Sequence, residues 1–246
     1  PDHGSELWKS GGTEAGTVLV KEIGTTSGSN PDHFTPFDGE VYFDADDSIT
    51  GEELWKTDGT ANGTLMVLDI NTNGPWGSSP QGFTEFAGAL YFSAGDGASG
   101  HELWKTDGTT NGTVMLNDIN TAANASSMPH GFTVFDGTLY FSANDGLDGS
   151  QLWATDGTAN STGVVKYINP AGHAAPGGFT VFDGALYFSA DDGAAGSELW
   201  KTDGTEAGTV MVKDINDAGA DQSSQPAGLT VFNGALYFSA GTATNG

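Results

Sequence analysis

Glu198-Leu199-Trp200-Lys201-Thr202-Asp203-Gly204-Thr205 recurs as Glu53–Thr60 and Glu102–Thr109, and in altered form as Glu6–Thr13 and Gln151–Thr158. The tryptophans of the five copies are Trp8, Trp55, Trp104, Trp153 and Trp200, standing 47, 49, 49 and 47 residues apart. A fixed period of this length marks a repeat architecture.

Working outward from the motif, one full unit divides into four short strands. Strand a is Phe179–Phe182, followed by Asp183-Gly184, a dipeptide suited to a two-residue hairpin because both central positions need positive φ. Strand b is Ala185–Ala190, and the polar loop Asp191–Ser197 follows it. Strand c is Glu198–Lys201, strand d is Thr209–Ile215, and a Ser/Pro/Gly-rich crossover leads to the next strand a. Nothing in the unit has helical periodicity. Strand a recurs at Phe34, Phe83, Phe132 and Leu229, and strand b at Val41, Ala89, Thr138 and Ala235.

Four antiparallel strands in each unit of 40–50 residues describe a β-propeller blade. In strand b, Leu186 and Phe188 face one side while Ala185, Tyr187 and Ser189 face the other, as in a sheet sandwiched between neighbours. The chain starts on strands c and d of one unit and ends on strands a and b of another. The expectation is an all-β, five-bladed β-propeller whose fifth blade is a composite closed by N- and C-terminal strands. It would be one domain over 1–246, with units at about 1–33, 34–82, 83–131, 132–178 and 179–228, and 229–246 completing the blade begun by 1–23. The opening Pro1-Asp2-His3-Gly4-Ser5 resembles the middle of a repeat, which suggests a processed product or a fragment.

Composition narrows the function. Seven basic residues, all lysine, against 32 carboxylates leave a formal charge of −25. That argues against nucleic acid, whose phosphates need a basic stripe, and against docking on an anionic membrane. There is no cysteine, hence no disulfide or thiolate chemistry. No apolar run reaches the length of a membrane span. Acidic surface of this kind keeps a protein soluble, or attracts divalent cations.

The repeated Glu-Leu-Trp-x-x-Asp-Gly-Thr resembles the ELWxxDGT repeat of secreted bacterial proteins. The resemblance covers all five units, is most specific at Glu53–Thr60, Glu102–Thr109 and Glu198–Thr205, and departs from the pattern at Gly11 and Gln151. It implies a secreted, extracellular bacterial setting and little about biochemistry.

By propeller connectivity the b–c loops and the d–a crossovers share one face, opposite the Asp-Gly-Thr turns. The Asp of each turn (Asp58, Asp107, Asp156, Asp203) is read as a backbone-capping residue, and the motif tryptophans as packing residues whose indole N–H needs a partner. On the crossover face, Asp46, Asp47, Asp96, Asp145, Asp191 and Asp192 lie in Gly-rich loops. They are the candidate metal ligands, for Ca2+, because that cation takes six to eight oxygens from carboxylates and carbonyls. The spacing matches neither an EF-hand nor the nonapeptide calcium repeat, and ordinary turn formation on a solvated rim is the competing reading. Trp76 is the one tryptophan outside the repeat. In the crossover Asn73–Ser79 it could stack on a sugar ring among polar groups, or cover a gap between blades.

All five histidines (His3, His33, His101, His130, His173) fall in loops of this face at non-equivalent positions, which disfavours a repeated metal site. The candidate ligand-binding residues are Trp76, His33, His130, His173, Ser79, Ser127 and Ser224. No catalytic motif is present, and no carboxylate pair stands out from the repeat. The expectation is therefore a non-catalytic, lectin-like binding module for a carbohydrate or other small ligand. The alternative is a calcium-binding structural or adhesive domain, and a glycoside-active enzyme comes third.

Overall fold

The computed structural model describes residues 4–217, 219 and 222–242; His3 lies outside them. Among the described residues are four four-stranded antiparallel sheets and two two-stranded ones. Strands β1 (Leu7–Ser10) and β2 (Thr17–Lys21) pair alone. The first complete sheet holds β3 (Asp32–Phe37), β4 (Glu40–Asp46), β5 (Glu52–Thr57) and β6 (Leu65–Leu68). The second holds β7 (Gln81–Phe86), β8 (Ala89–Gly95), β9 (His101–Thr106) and β10 (Val114–Asn117). The third holds β11 (His130–Phe135), β12 (Thr138–Asn144), β13 (Ser150–Thr155) and β14 (Gly163–Lys166). The fourth holds β15 (Gly177–Phe182), β16 (Ala185–Asp191), β17 (Ser197–Thr202) and β18 (Val210–Lys213). Strands β19 (Ala227–Phe232) and β20 (Ala235–Ser239) form the last pair.

Each complete sheet is a meander in the order expected, the two inner strands running in unbroken six-residue register, as in Leu186↔Thr202 through Asp191↔Ser197. The a–b turns carry positive φ at both central residues, for example Asp183 (46°) and Gly184 (72°), the geometry that matches the right-handed twist of the flanking strands. Strand pairs β1–β2 and β19–β20, expected to share the fifth sheet, are each two-stranded within their own unit. Strand complementarity is written in the repeat, whereas closure needs the angle between successive sheets to sum to a full turn, which no local pattern encodes.

The chain divides into two compact units, residues 1–126 and 127–246. In the first, Trp104 of β9 packs on Phe37, Tyr42, Leu54, Val67 and Ile70 of the preceding sheet, and Trp55 packs on Leu7 and Ile23. In the second, Trp200 packs on Phe135, Tyr140 and Leu152. Within each unit, the motif tryptophan is thus the contact from one sheet back to the one before it. Burying so large a ring supplies a few kcal/mol per repeat. The indole N–H groups of Trp55, Trp104, Trp153 and Trp200 are buried with no acceptor among the described residues, contrary to the expectation that each finds a partner.

Candidate binding site

The motif Glu is a structural hub. Glu53 is fully buried and accepts from the backbone N–H of Ile70 (2.9 Å) and Asn71 (3.2 Å) and from Ser78 Oγ (2.6 Å). Glu198 accepts in the same way from Ile215 N, Ser224 N and Ser224 Oγ, and Glu6 from Ile23 N and Ser29 Oγ. The hub ties strand c to the end of strand d and to the crossover. Burial pushes the Glu53 carboxyl up, against the three hydrogen bonds that favour its charged form. In the third sheet Gln151 replaces the Glu, and Ala174 stands where the serine would be. The Gln151 carbonyl takes Ile168 N and Asn169 N, while its amide donates to the carbonyls of Asp148, Asn169 and Gly172. A neutral amide brings its own donors, so the serine hydroxyl loses its purpose.

This hub accounts for two candidate ligand-binding residues. Ser224 is buried with its hydroxyl on Glu198, and Ser127 is buried at the equivalent repeat position, so neither is offered to a ligand. The equivalent in the first complete sheet is Ser78, and Ser79 lies one residue beyond it. The Asp-Gly-Thr turns behave as expected. Asp58 Oδ1 accepts from Thr60 N (2.8 Å) and Thr60 Oγ1 (2.7 Å), and Asp107, Asp156 and Asp203 repeat the pattern. In Asp58, Asp107 and Asp203 the threonine hydroxyl and N–H hold the carboxyl below its usual range.

The b–c loops do lie against the crossovers, as in Asp46 N to Ser29 O, Gly95 N to Ser78 O and Asn144 N to Ser127 O. Their aspartates cap their own loops. Asp47 Oδ1 accepts from Ile49 N and Thr50 N, Asp96 Oδ1 from Ala98 N and Ser99 N, and Asp145 Oδ1 from Leu147 N and Asp148 N. Asp46, Asp191 and Asp192 do the same for Ser48 N, Gly193 N, and Ala194 N with Ala195 N. Among the described residues no three His, Asp or Glu side chains converge as a metal site. Of the histidines in the second unit, His130 Nδ1 lies 2.9 Å from Met128 O, and His173 Nδ1 accepts from Ser150 N.

A second group breaks the repeat. Where the other units have glycine (Gly82, Gly131, Gly178, Gly228), the first complete sheet has His33. Where they have serine on strand b (Ser93, Ser142, Ser189, Ser239), it has Asp44. At the start of strand c, in place of Ser5, Ser150 and Ser197, it has Glu52, and the second sheet has His101. The fold brings these together. His33 Nδ1 lies 2.8 Å from Asp44 Oδ1, with Asp44 buried and the imidazole half-exposed. Glu52 is raised to about 7, first by its hydrogen bond to Asp44, then by burial and by the charge of Asp44, with Ser79 and His33 acting against these. Ser79 Oγ reaches Glu52 Oε2 at 3.3 Å. Burial lowers His101, with the charge of Glu52 opposing. His33 adopts φ 54°, a left-handed conformation that the other repeats give to glycine. Strain retained for a side chain is a marker of function. Asp44 and Glu52 are thus a carboxylate pair that does stand out. The sequence held the signal in those departures, read column by column rather than by motif.

Trp76 sits beside this group. Gly77 packs against the backbone of Glu52, close enough that a Cβ would collide with it, and Ser78 N and Ser79 N both donate to Glu52 O. Trp76 is 82% exposed, so it covers no gap between sheets.

No family model matches this sequence, and no curated protein does. Among solved structures, a mutant of puromycin hydrolase is similar with a TM-score of 0.52 and 14% identity, over 91% of this chain and 35% of that one. Oligopeptidase B from Leishmania major is similar with a TM-score of 0.50 and 11% identity, over 94% of this chain and 34% of that one. The chain spans about a third of the length of either. The likeness is one of fold alone, and it makes this an all-β, β-propeller-like chain.

Proposed function

We propose that this chain is a non-catalytic, extracellular binding module for a carbohydrate, held at the group of His33, Asp44 and Glu52 that departs from the repeat. The observation that carries the reading is the exposed Trp76, on a crossover seated against Glu52, beside a polar cluster that also holds Asp44, His33 and Ser79. An aromatic face supports a sugar ring through its C–H groups, while carboxylates, an imidazole and a hydroxyl supply the acceptors and donors that hydroxyls need. Glu52, pushed up to about 7 by its hydrogen bond to Asp44 and by burial, can both accept and donate near neutrality. Nothing in the acidic loops favours the calcium reading, since each aspartate already serves its own backbone.

A glycan array tests this. Binding by the wild type, lost in Trp76→Ala and in Glu52→Ser with unchanged melting of the fold, supports the proposal. Binding that survives both substitutions, or no binding to any glycan, sinks it. Release of reducing sugar from a bound glycan would instead place the chain among enzymes.

A further inference from the structure

We propose that the sugar held at the group of His33, Asp44 and Glu52 is an amino sugar whose nitrogen is unacetylated and protonated; the inference rests on the carbohydrate reading above. Three observations carry it. The first is a row of carboxylates set by strand register. Asp32 lies opposite Asp44, and Asp46 opposite Glu52, so all four belong to one face at one end of the first complete sheet. Glu52 and Asp44 are diagonal neighbours on that face, within reach of each other. The same four places in the other three complete sheets hold a single acid between them, Asp191.

The second is what answers those charges. Asp32 and Asp46 accept from backbone N–H groups, those of His33 (2.8 Å) and Ser48 (2.6 Å). Asp44 and Glu52 are set against each other instead, and their hydrogen bond, with burial, pushes Glu52 up to about 7. A cation placed between two such carboxylates would let both stay charged. His33, when protonated, serves Asp44 from one side, while burial holds His101 below its usual range and so toward its neutral form. The lysines of this unit are spent at the other end of the strands. Lys9 donates to Gly59 O, Lys21 to Thr64 O and Lys56 to Glu40, and Lys105 stands in the second sheet where Lys56 stands in the first.

The third is the aromatic wall. Trp76 is exposed on the crossover whose Gly77 packs against the Glu52 backbone. An aromatic face beside carboxylates recognises an organic cation: the ring attracts the charge and stacks the sugar, and the carboxylates take the N–H donors. A bare metal ion does not fit, because no three His, Asp or Glu side chains among the described residues converge on one point. An ammonium on a sugar ring has three N–H donors and asks only for nearby acceptors and a flat apolar face. On binding, it takes the place of the Glu52 proton, which leaves to solvent, and both carboxylates end charged and paired.

Titration calorimetry of the full chain at about pH 6, where the amine is protonated, tests it with tetramers of glucosamine, N-acetylglucosamine, glucose and galacturonic acid. The glucosamine tetramer should bind at least roughly tenfold more tightly than the acetylated and glucose tetramers, and the acidic one most weakly. Glu52→Gln keeps the shape of the side chain but cannot gain a charge, so it should erase that preference. Should Glu52→Gln melt early, Trp76→Ala, at an exposed position, takes its place and should weaken the glucosamine tetramer by a similar factor. A glucosamine tetramer that binds either folded variant as tightly as the wild type marks general attraction to an acidic surface and overturns the proposal. A wild type that takes the acetylated or glucose tetramer as tightly overturns it too, and leaves the carbohydrate reading standing. Binding of none of the four also overturns it, and the glycan array then decides the broader reading.

Discussion

Glu52 and Glu53 are neighbours in the chain and serve different ends. Glu53 is fully buried, repeats as Glu6, Glu102 and Glu198, and spends its oxygens on backbone N–H groups and a serine. Glu52 occurs in one repeat, is half-buried, and shares its environment with Asp44, His33 and Ser79. A polar group that recurs in every sheet is solving a problem every sheet has, here the unpaired donors where strand d ends. A polar group found once solves none of the fold's problems, and its strain at His33 works against stability.

The comparison breaks most visibly at the hub. Glu53→Ala should leave three buried donors without an acceptor and cost about 3–5 kcal/mol by urea unfolding, whereas Glu52→Ala should cost far less. A similar loss at both positions would erase the distinction. Ser78→Ala should cost about 1.5–3 kcal/mol, because a buried carboxylate loses a charge-assisted bond. Adding Glu53→Gln should recover about 1 kcal/mol of that, since the pair then copies Gln151 and Ala174. Simple additivity would argue against the hub as described.

At the cluster the sign reverses. The double substitution His33→Gly with Asp44→Ser restores what the other repeats have, removing both the left-handed histidine and a buried charge. It should raise stability by about 1 kcal/mol while abolishing ligand binding. A loss of stability would show that the cluster holds the fold. The smallest effect is with pH. Glu52 lies at about 7 in the folded chain against an ordinary 4.5, so folding favours its protonated form. Its contribution is complete below pH 4.5 and is lost as pH rises through 7. Unfolding measured across that window should fall with pH more steeply in the wild type than in Glu52→Ser, and identical slopes would remove Glu52 as the source.

Much of the fold was legible because the repeat samples each local rule several times. The a–b turns were readable from Asp-Gly and Asn-Gly pairs, and even Ala87-Gly88 adopts the same positive φ, imposed by the hairpin on a residue that does not favour it. Strand a starts earlier than its aromatic, at Asp32 rather than Phe34, because pairing with β4 extends it. The candidate site was half legible. Trp76, His33 and Ser79 were singled out by type and place, but Ser127 and Ser224 are hub residues. Asp44 and Glu52 were hidden among 32 carboxylates, since nothing in a sequence says which acids touch.

The sequence by itself determined the strands and their order in each sheet, because period-2 burial and tight turns are local rules enforced residue by residue. Only the tertiary structure decided that His33, Asp44 and Glu52 meet, and that Ser224 turns inward to Glu198. Both depend on distances between segments far apart in the chain, which packing fixes and local preference does not.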